Sequence, residues 1–141
     1  MECVMSRIQL FELILSIKRK CQSREDIIQN DLGLSQAEFN GLLILEPDEK
    51  IQGFQFAERL GLSPSRGSRV VGKLNKRGFV RTEFKPEDRR TMFISITKTG
   101  IRFKQEIYER MKACEDRICS QLQPRHIEQI RESLILLDQV L

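Results

Sequence analysis

The stretch from Phe54 to Gly78 constrains this chain most. Phe56, Ala57 and Leu60 recur at helical spacing and stop at Gly61, a residue that tolerates the left-handed backbone of a helix end. Ser63-Pro64 then opens another helix. Serine caps free amides there, and proline fits the first helical position because its missing N–H has no partner to lose. This helix is predicted to run to about Arg77 and to end at Gly78. Helix, a three-residue turn with glycine, and helix again is a helix-turn-helix. After Gly78 the period changes. Phe79–Phe84 and Met92–Ile96 are β-rich and alternating, separated by a polar tip, Lys85-Pro86-Glu87-Asp88-Arg89-Arg90. A two-stranded hairpin, or wing, is predicted there.

The flanks read as helix. Val4, Ile8, Phe11 and Leu15 form one stripe near the N-terminus, and Leu10, Leu13, Ile14 and Ile17 fill the next. A helix apolar over most of its circumference is buried on more than one side, and in a chain this small the second side suggests a partner subunit. The helix either continues through Ile27, Ile28 and Leu32 or restarts at Ser23. Gly33 stops it, and Ser35-Gln36-Ala37-Glu38 reads as a capping box before Phe39, Leu42, Leu43 and Leu45. Thr97 caps a long helix reaching about Leu122, and Pro124 opens a last one whose Ile127, Ile130, Leu134, Leu137 and Leu141 form a packing seam. The expected fold is mainly α with a small β-hairpin wing. One domain, 1–141, holds a winged helix-turn-helix core at about 35–100. Helical dimerisation regions at about 1–32 and 101–141 flank it. Ile8, Phe11, Leu15, Ile130, Leu134 and Leu137 are the dimer candidates, since these stripes are too apolar for a monomer surface.

Composition removes several function classes. No segment approaches the roughly 18 apolar residues of a membrane span. The start, with Glu2, lacks a basic region leading into an apolar one, so no signal peptide is expected. Cys3, Cys21, Cys114 and Cys119 are scattered, and His126 is the single histidine. Zinc sites need several such ligands at close spacing, so no metal and no cofactor is expected. Reduced thiols in a cytoplasm fit best. No catalytic triad, Cys/His pair or phosphate-cradling loop is evident, so an enzyme is not expected.

Charge points to a polyanion. The segment Arg59–Lys104 carries 13 Lys/Arg against Glu83, Glu87 and Asp88, whereas the rest has 11 basic and 17 acidic residues. A basic centre between acidic ends suits double-stranded DNA. The second helix of a helix-turn-helix shows polar side chains to base edges in the major groove. Val71 and Leu74 fall on its inner face, with Ser65, Arg66, Ser68, Arg69, Gly72 and Lys73 toward the other. Arginine pairs bidentately with guanine, and serine reaches bases or phosphate. On the wing, Asp88 precedes Arg90 by two residues, so both project to one side of an extended segment. An aspartate there holds an arginine extended for a narrow, strongly negative minor groove. Lys85 and Arg89 complete the wing's basic set.

The runs Phe56-Ala57-Glu58-Arg59-Leu60-Gly61-Leu62-Ser63-Pro64-Ser65, Leu74-Asn75-Lys76-Arg77-Gly78-Phe79-Val80-Arg81, Glu87-Asp88-Arg89-Arg90 and Ile96-Thr97-Lys98-Thr99-Gly100, in this order, resemble the MarR family of transcriptional regulators. The resemblance implies a winged-helix homodimer. It also implies binding to pseudo-palindromic promoter DNA, often as a repressor relieved by a small-molecule effector or an oxidant. By position, Ser65, Arg66, Ser68 and Arg69 match the groove-facing part of the family recognition helix. Asp88 and Arg90 match its D-x-R wing motif, with Arg90 the minor-groove residue. Gln52 departs from the usual Ser or Thr cap, and Gly67 from a larger residue. A redox-sensing regulator is the alternative, with Cys3 and Cys21 near the first helix and Lys18, Arg19 and Lys20 beside Cys21. The paired tyrosines of the family's peroxide sensors are missing, since Tyr108 is the only tyrosine. Cys114 and Cys119 lie about 140° apart around a helix, poorly placed to bond each other. A winged helix serving only protein contacts is the other alternative. The basic surplus argues against it, because charge is depleted in the cores of such interfaces.

Overall fold

The computed structural model describes the backbone from Glu2 and side chains from Gln9 onward. Cys3, Val4 and Ile8, singled out above, lie outside the described side chains. The elements are α1 (Glu2–Leu32), α2 (Gln36–Ile44), β1 (Ile51–Gln52), α3 (Gly53–Arg59), α4 (Pro64–Lys76), β2 (Val80–Lys85), β3 (Asp88–Ile96), α5 (Lys98–Gln121) and α6 (Pro124–Val140). The question left open for α1 resolves as one uninterrupted helix of 31 residues. The chain divides into two compact units, Met1–Lys104 and Gln105–Leu141.

Local codes set most boundaries in the first unit. Glu38 N–H donates to Ser35 Oγ at 3.2 Å, and Ser35 N–H donates to Glu38 Oε1 at 3.1 Å, closing the capping box of α2. At Gly61, φ is +67°, and Leu62 N–H returns to the Ala57 carbonyl at 2.9 Å. That closes α3 and turns the chain into Ser63, whose Oγ accepts from Arg66 N–H at 3.3 Å. Gln52 stands at the start of α3 without a hydroxyl, and its N–H is satisfied by Gln55 Oε1 at 3.0 Å. Thr97 Oγ1 accepts from Gly100 N–H at 3.1 Å at the start of α5.

The sheet is larger than the hairpin predicted. It has three antiparallel strands in the order β1-β3-β2, with Ile51 opposite Ile94 and Gln52 opposite Phe93. A two-residue strand carries no period to read, and its partner lies some forty residues away. The hairpin is also longer and its tip shorter than expected. Lys85 pairs with Asp88 across a turn at Pro86-Glu87, so Asp88, Arg89 and Arg90 belong to β3. The ladder is irregular between Phe84, opposite Met92, and Lys85, opposite Asp88. Three residues of β3, Arg89–Thr91, therefore bulge out of register.

Phe39, Leu42, Leu45, Ile51, Phe56, Val71, Leu74, Phe79, Val80 and Ile94 make the core of this unit, each 3% exposed or less. Phe79 also meets Phe103 with ring centroids 4.7 Å apart. The apolar stripe of α1 is not covered within one chain. Phe11 is 57% exposed, Leu10, Leu13 and Ile17 are likewise exposed, and Leu15 is half-buried. In the second unit Ile107 is buried, while Ile118, Ile130, Leu134, Ile135 and Leu136 are exposed and Leu137 is half-buried.

Candidate nucleic-acid interface

Helix α4 separates its two faces by residue type. Gly67, Val70, Val71 and Leu74 are buried. Ser65, Arg66, Ser68, Arg69, Gly72 and Lys73 are exposed, as their spacing predicts. No acidic residue occurs on α4, so the only charges on its outer face are positive. Gly67, unusual at its position, has a packing reason. A Cβ built there meets Ala57 Cβ at 2.5 Å and Ala57 Cα at 3.0 Å. Glycine thus lets α4 approach α3 closely and sets how the two helices of the motif sit together. At Gly72 a Cβ meets nothing within 4 Å.

The basic segment is sorted by the fold. Arg59 grips Glu49 with both terminal nitrogens, NH1 to Oε2 at 2.8 Å. The hydrogen bond from Arg59 holds the Glu49 carboxyl below its ordinary range and raises the guanidinium in turn. Arg77 NH1 donates to Glu38 Oε2 at 2.8 Å and to the Gly33 carbonyl at 2.6 Å, with its guanidinium carbon 4.9 Å from the Phe79 ring centre. Lys104, 6% exposed, donates to the carbonyls of Leu43 and Leu45 at the end of α2. Arg59, Arg77 and Lys104 therefore serve the scaffold, a division that net charge does not reveal. Arg66, Arg69, Lys73, Lys76, Arg81, Lys85, Arg89 and Arg90 remain on the surface.

The wing motif works differently from its sequence reading. Asp88 Oδ1 accepts the backbone N–H of Arg90 at 2.9 Å, and Oδ2 accepts the Thr91 hydroxyl at 3.0 Å. These two bonds hold the Asp88 carboxyl below its ordinary range, the backbone bond contributing most. Among the described residues no ion pair joins Asp88 to the Arg90 guanidinium. The expectation of a direct side-chain clamp is corrected. The carboxylate fixes the bulged backbone and leaves the Arg90 side chain to solvent, because two local donors lie within its short reach. Lys85 Nζ lies 5.4 Å from the Phe93 ring centre, and Lys50 bonds Glu83 at 2.8 Å. That bond lowers the Glu83 carboxyl.

Residues 32–91, the stretch that holds α2 to the wing, match the MarR family model. The chain belongs to the MarR family. Over 139 residues it is 27% identical to the transcriptional repressor MprA of Escherichia coli K12, covering 94% of this chain and 79% of MprA. The fold agrees with that of the YusO protein of Bacillus subtilis at a TM-score of 0.77 and 23% identity, over 99% of this chain and 98% of YusO. It also agrees with a MepR mutant of S. aureus bound to an oligodeoxyribonucleotide, at a TM-score of 0.67 and 18% identity, covering 92% of this chain and 96% of that one. This MarR-family chain is a winged-helix, DNA-binding transcriptional regulator.

Cys21 and Cys119 are exposed free thiols and Cys114 is a half-buried one. Half-buried His126 lies in the first turn of α6. Among the described residues no helix is long and apolar enough to cross a membrane.

Proposed function

We propose that this regulator represses transcription in the cytoplasm by binding pseudo-palindromic promoter DNA as a homodimer, and that a small-molecule effector releases it. The observation that carries the DNA-binding half is the outer face of α4, which offers Ser65, Arg66, Ser68, Arg69 and Lys73 with no acid among them. Arg66 and Arg69 suit base edges and phosphates of the major groove. Lys85, Arg89 and Arg90 of the wing suit the adjacent minor groove, with Asp88 ordering the backbone that carries them. Phosphates take at least half of such contacts, so Lys73 and Lys85 serve the backbone. Residues at about 35–100 form the DNA-binding core in this reading.

The homodimer rests on apolar surface that one chain leaves open. Phe11 is 57%, Ile130 44% and Leu134 52% exposed, and Leu15 and Leu137 are half-buried beside them in sequence. Regions 1–32 and 101–141 supply these stripes, and a two-fold axis would cover both sets isologously. Repression is supported by the name of MprA, and effector response by the family resemblance. Two experiments test the reading. Sedimentation equilibrium at micromolar concentration is expected to give twice 16.5 kDa. Sequencing of genomic DNA bound by the protein is expected to return inverted repeats with half-sites about one helical turn apart. A monomer, or bound fragments without repeats, overturns the dimeric reading.

A further inference from the structure

The wing carries an exposed aromatic ring as well as its cations. Phe84, on β2, is 56% exposed. Strand alternation places it on the face of Val80 and Thr82, which are buried and half-buried. Its cross-strand partner Met92 is half-buried. Phe84 thus continues the apolar face of the sheet past the point where the helices cover it. Beside it an open groove of about 440 Å³ is lined by Phe84 and Arg89. An aromatic residue and a cationic one thus border the same space. The bulge at Arg89–Thr91 shapes that groove, and the Asp88 carboxylate holds the bulge through its bonds to Arg90 N–H and the Thr91 hydroxyl.

We propose that Phe84 is a direct DNA contact, its ring packed on the deoxyribose edge of a minor-groove strand while Arg89 takes the adjoining phosphate. This deepens the assignment of the wing to DNA and rests on it. Charge complementarity selects the occupant. Arg89 shares the groove with the ring, Lys85 and Arg90 are exposed elsewhere on the same wing, and a surface of this sign attracts a polyanion. A DNA strand places apolar sugar edges between its phosphates, which matches a ring set beside an arginine. Apolar side chains are an attested device of minor-groove binding.

The contact has a signature that separates it from a phosphate contact. An arginine on a phosphate displaces a counterion and steepens the salt dependence of binding, whereas burying a ring does not. The test titrates a fluorescently labelled mixed-sequence duplex with the full chain at several salt concentrations, in wild type, Phe84→Ala, Phe84→Leu and Arg90→Ala. Phe84→Ala is expected to weaken binding about tenfold at every salt concentration, with the slope of log K against log salt unchanged. Phe84→Leu is expected to recover most of the loss, and Arg90→Ala to flatten the slope. Since the ring is exposed, the thermal midpoint is expected to hold in both Phe84 variants. Unchanged affinity in Phe84→Ala beside a flattened slope in Arg90→Ala overturns this proposal and leaves the wing assigned to DNA. Unchanged affinity in both variants overturns the wing assignment itself. A change in sedimentation without a change in DNA affinity means that the ring meets a second copy of the chain, which also overturns the proposal.

Discussion

Glu38 and Arg77, 39 residues apart in sequence, are joined by a 2.8 Å ion pair in which the carboxylate is nearly buried and the guanidinium is partly exposed. The same carboxylate caps the start of α2 through Ser35 N–H, and the same guanidinium reaches the Gly33 carbonyl just past α1. One pair therefore ties the α1–α2 junction to the end of α4. Removing the arginine leaves a buried charge without its partner, the costly half of such an exchange. Arg77→Ala is expected to destabilise the fold by about 1–3 kcal/mol, discounted for the exposure of the arginine. Arg77→Lys is expected to recover part of it. Urea midpoints at constant m-value measure both.

Two glycines of α4 are expected to respond in opposite directions. At Gly67 an added methyl collides with Ala57, whose Cβ and Cα are fixed to helix α3. Gly67→Ala is expected to cost about 1–3 kcal/mol from overpacking, against at most about 1 kcal/mol gained in helix propensity. Gly72→Ala meets open space and is expected to gain about 0.5–1 kcal/mol. Denaturant melts of the two variants decide the signs. Duplex titration of Gly72→Ala adds a second readout, since a loss of affinity there shows that DNA approaches the helix at that point.

Recognition helix and wing are expected to differ in what they read. Arg90→Ala is expected to weaken operator and random duplex by similar factors, because minor-groove information is degenerate. Arg69→Ala is expected to cost about 1–3 kcal/mol on operator and far less on random DNA. Anisotropy titrations on both duplexes distinguish the two. Equal weakening on both duplexes by Arg69→Ala makes Arg69 a phosphate clamp, and base reading passes to Ser65, Arg66 or Ser68.

Acid is expected to loosen the wing. Hydrogen bonds from Arg90 N–H and the Thr91 hydroxyl lower the Asp88 carboxyl in the folded state. Their contribution is therefore present above the unfolded aspartate value of about 3.9 and is lost as pH falls through the lower folded value. In an NMR titration the Arg90 amide is expected to move with a midpoint below about 3.9. A midpoint at or above that value contradicts the bonding described. In Asp88→Asn, which keeps one acceptor oxygen, that transition is expected to disappear.

The free thiols are expected to be inert toward DNA binding. Serine at all four cysteines is expected to leave duplex affinity unaltered with and without peroxide. A peroxide response abolished by Cys3→Ser or Cys21→Ser alone instead assigns redox sensing to that thiol.

The sequence alone determined the features whose causes lie within a few residues. Ser35 and Glu38, Gly61, Ser63-Pro64 and Gly78 each end or start a helix through bonds spanning three or four positions, so their spacing reveals them. The faces of α4 follow from the helical period for the same reason. Tertiary structure decided what depends on distant partners. It paired Ile51 with Ile94 to make β1, buried Lys104 against carbonyls some sixty residues away, and gave Glu38 its second partner in Arg77. It also made Gly67, a departure from the family pattern, a point of close approach between α4 and α3. Arg59, Arg77 and Lys104 look no different in sequence from Arg66, Arg69 and Lys73. Only packing, which brings an acceptor to the first three and solvent to the others, separates the cations that hold the fold from those left on its surface.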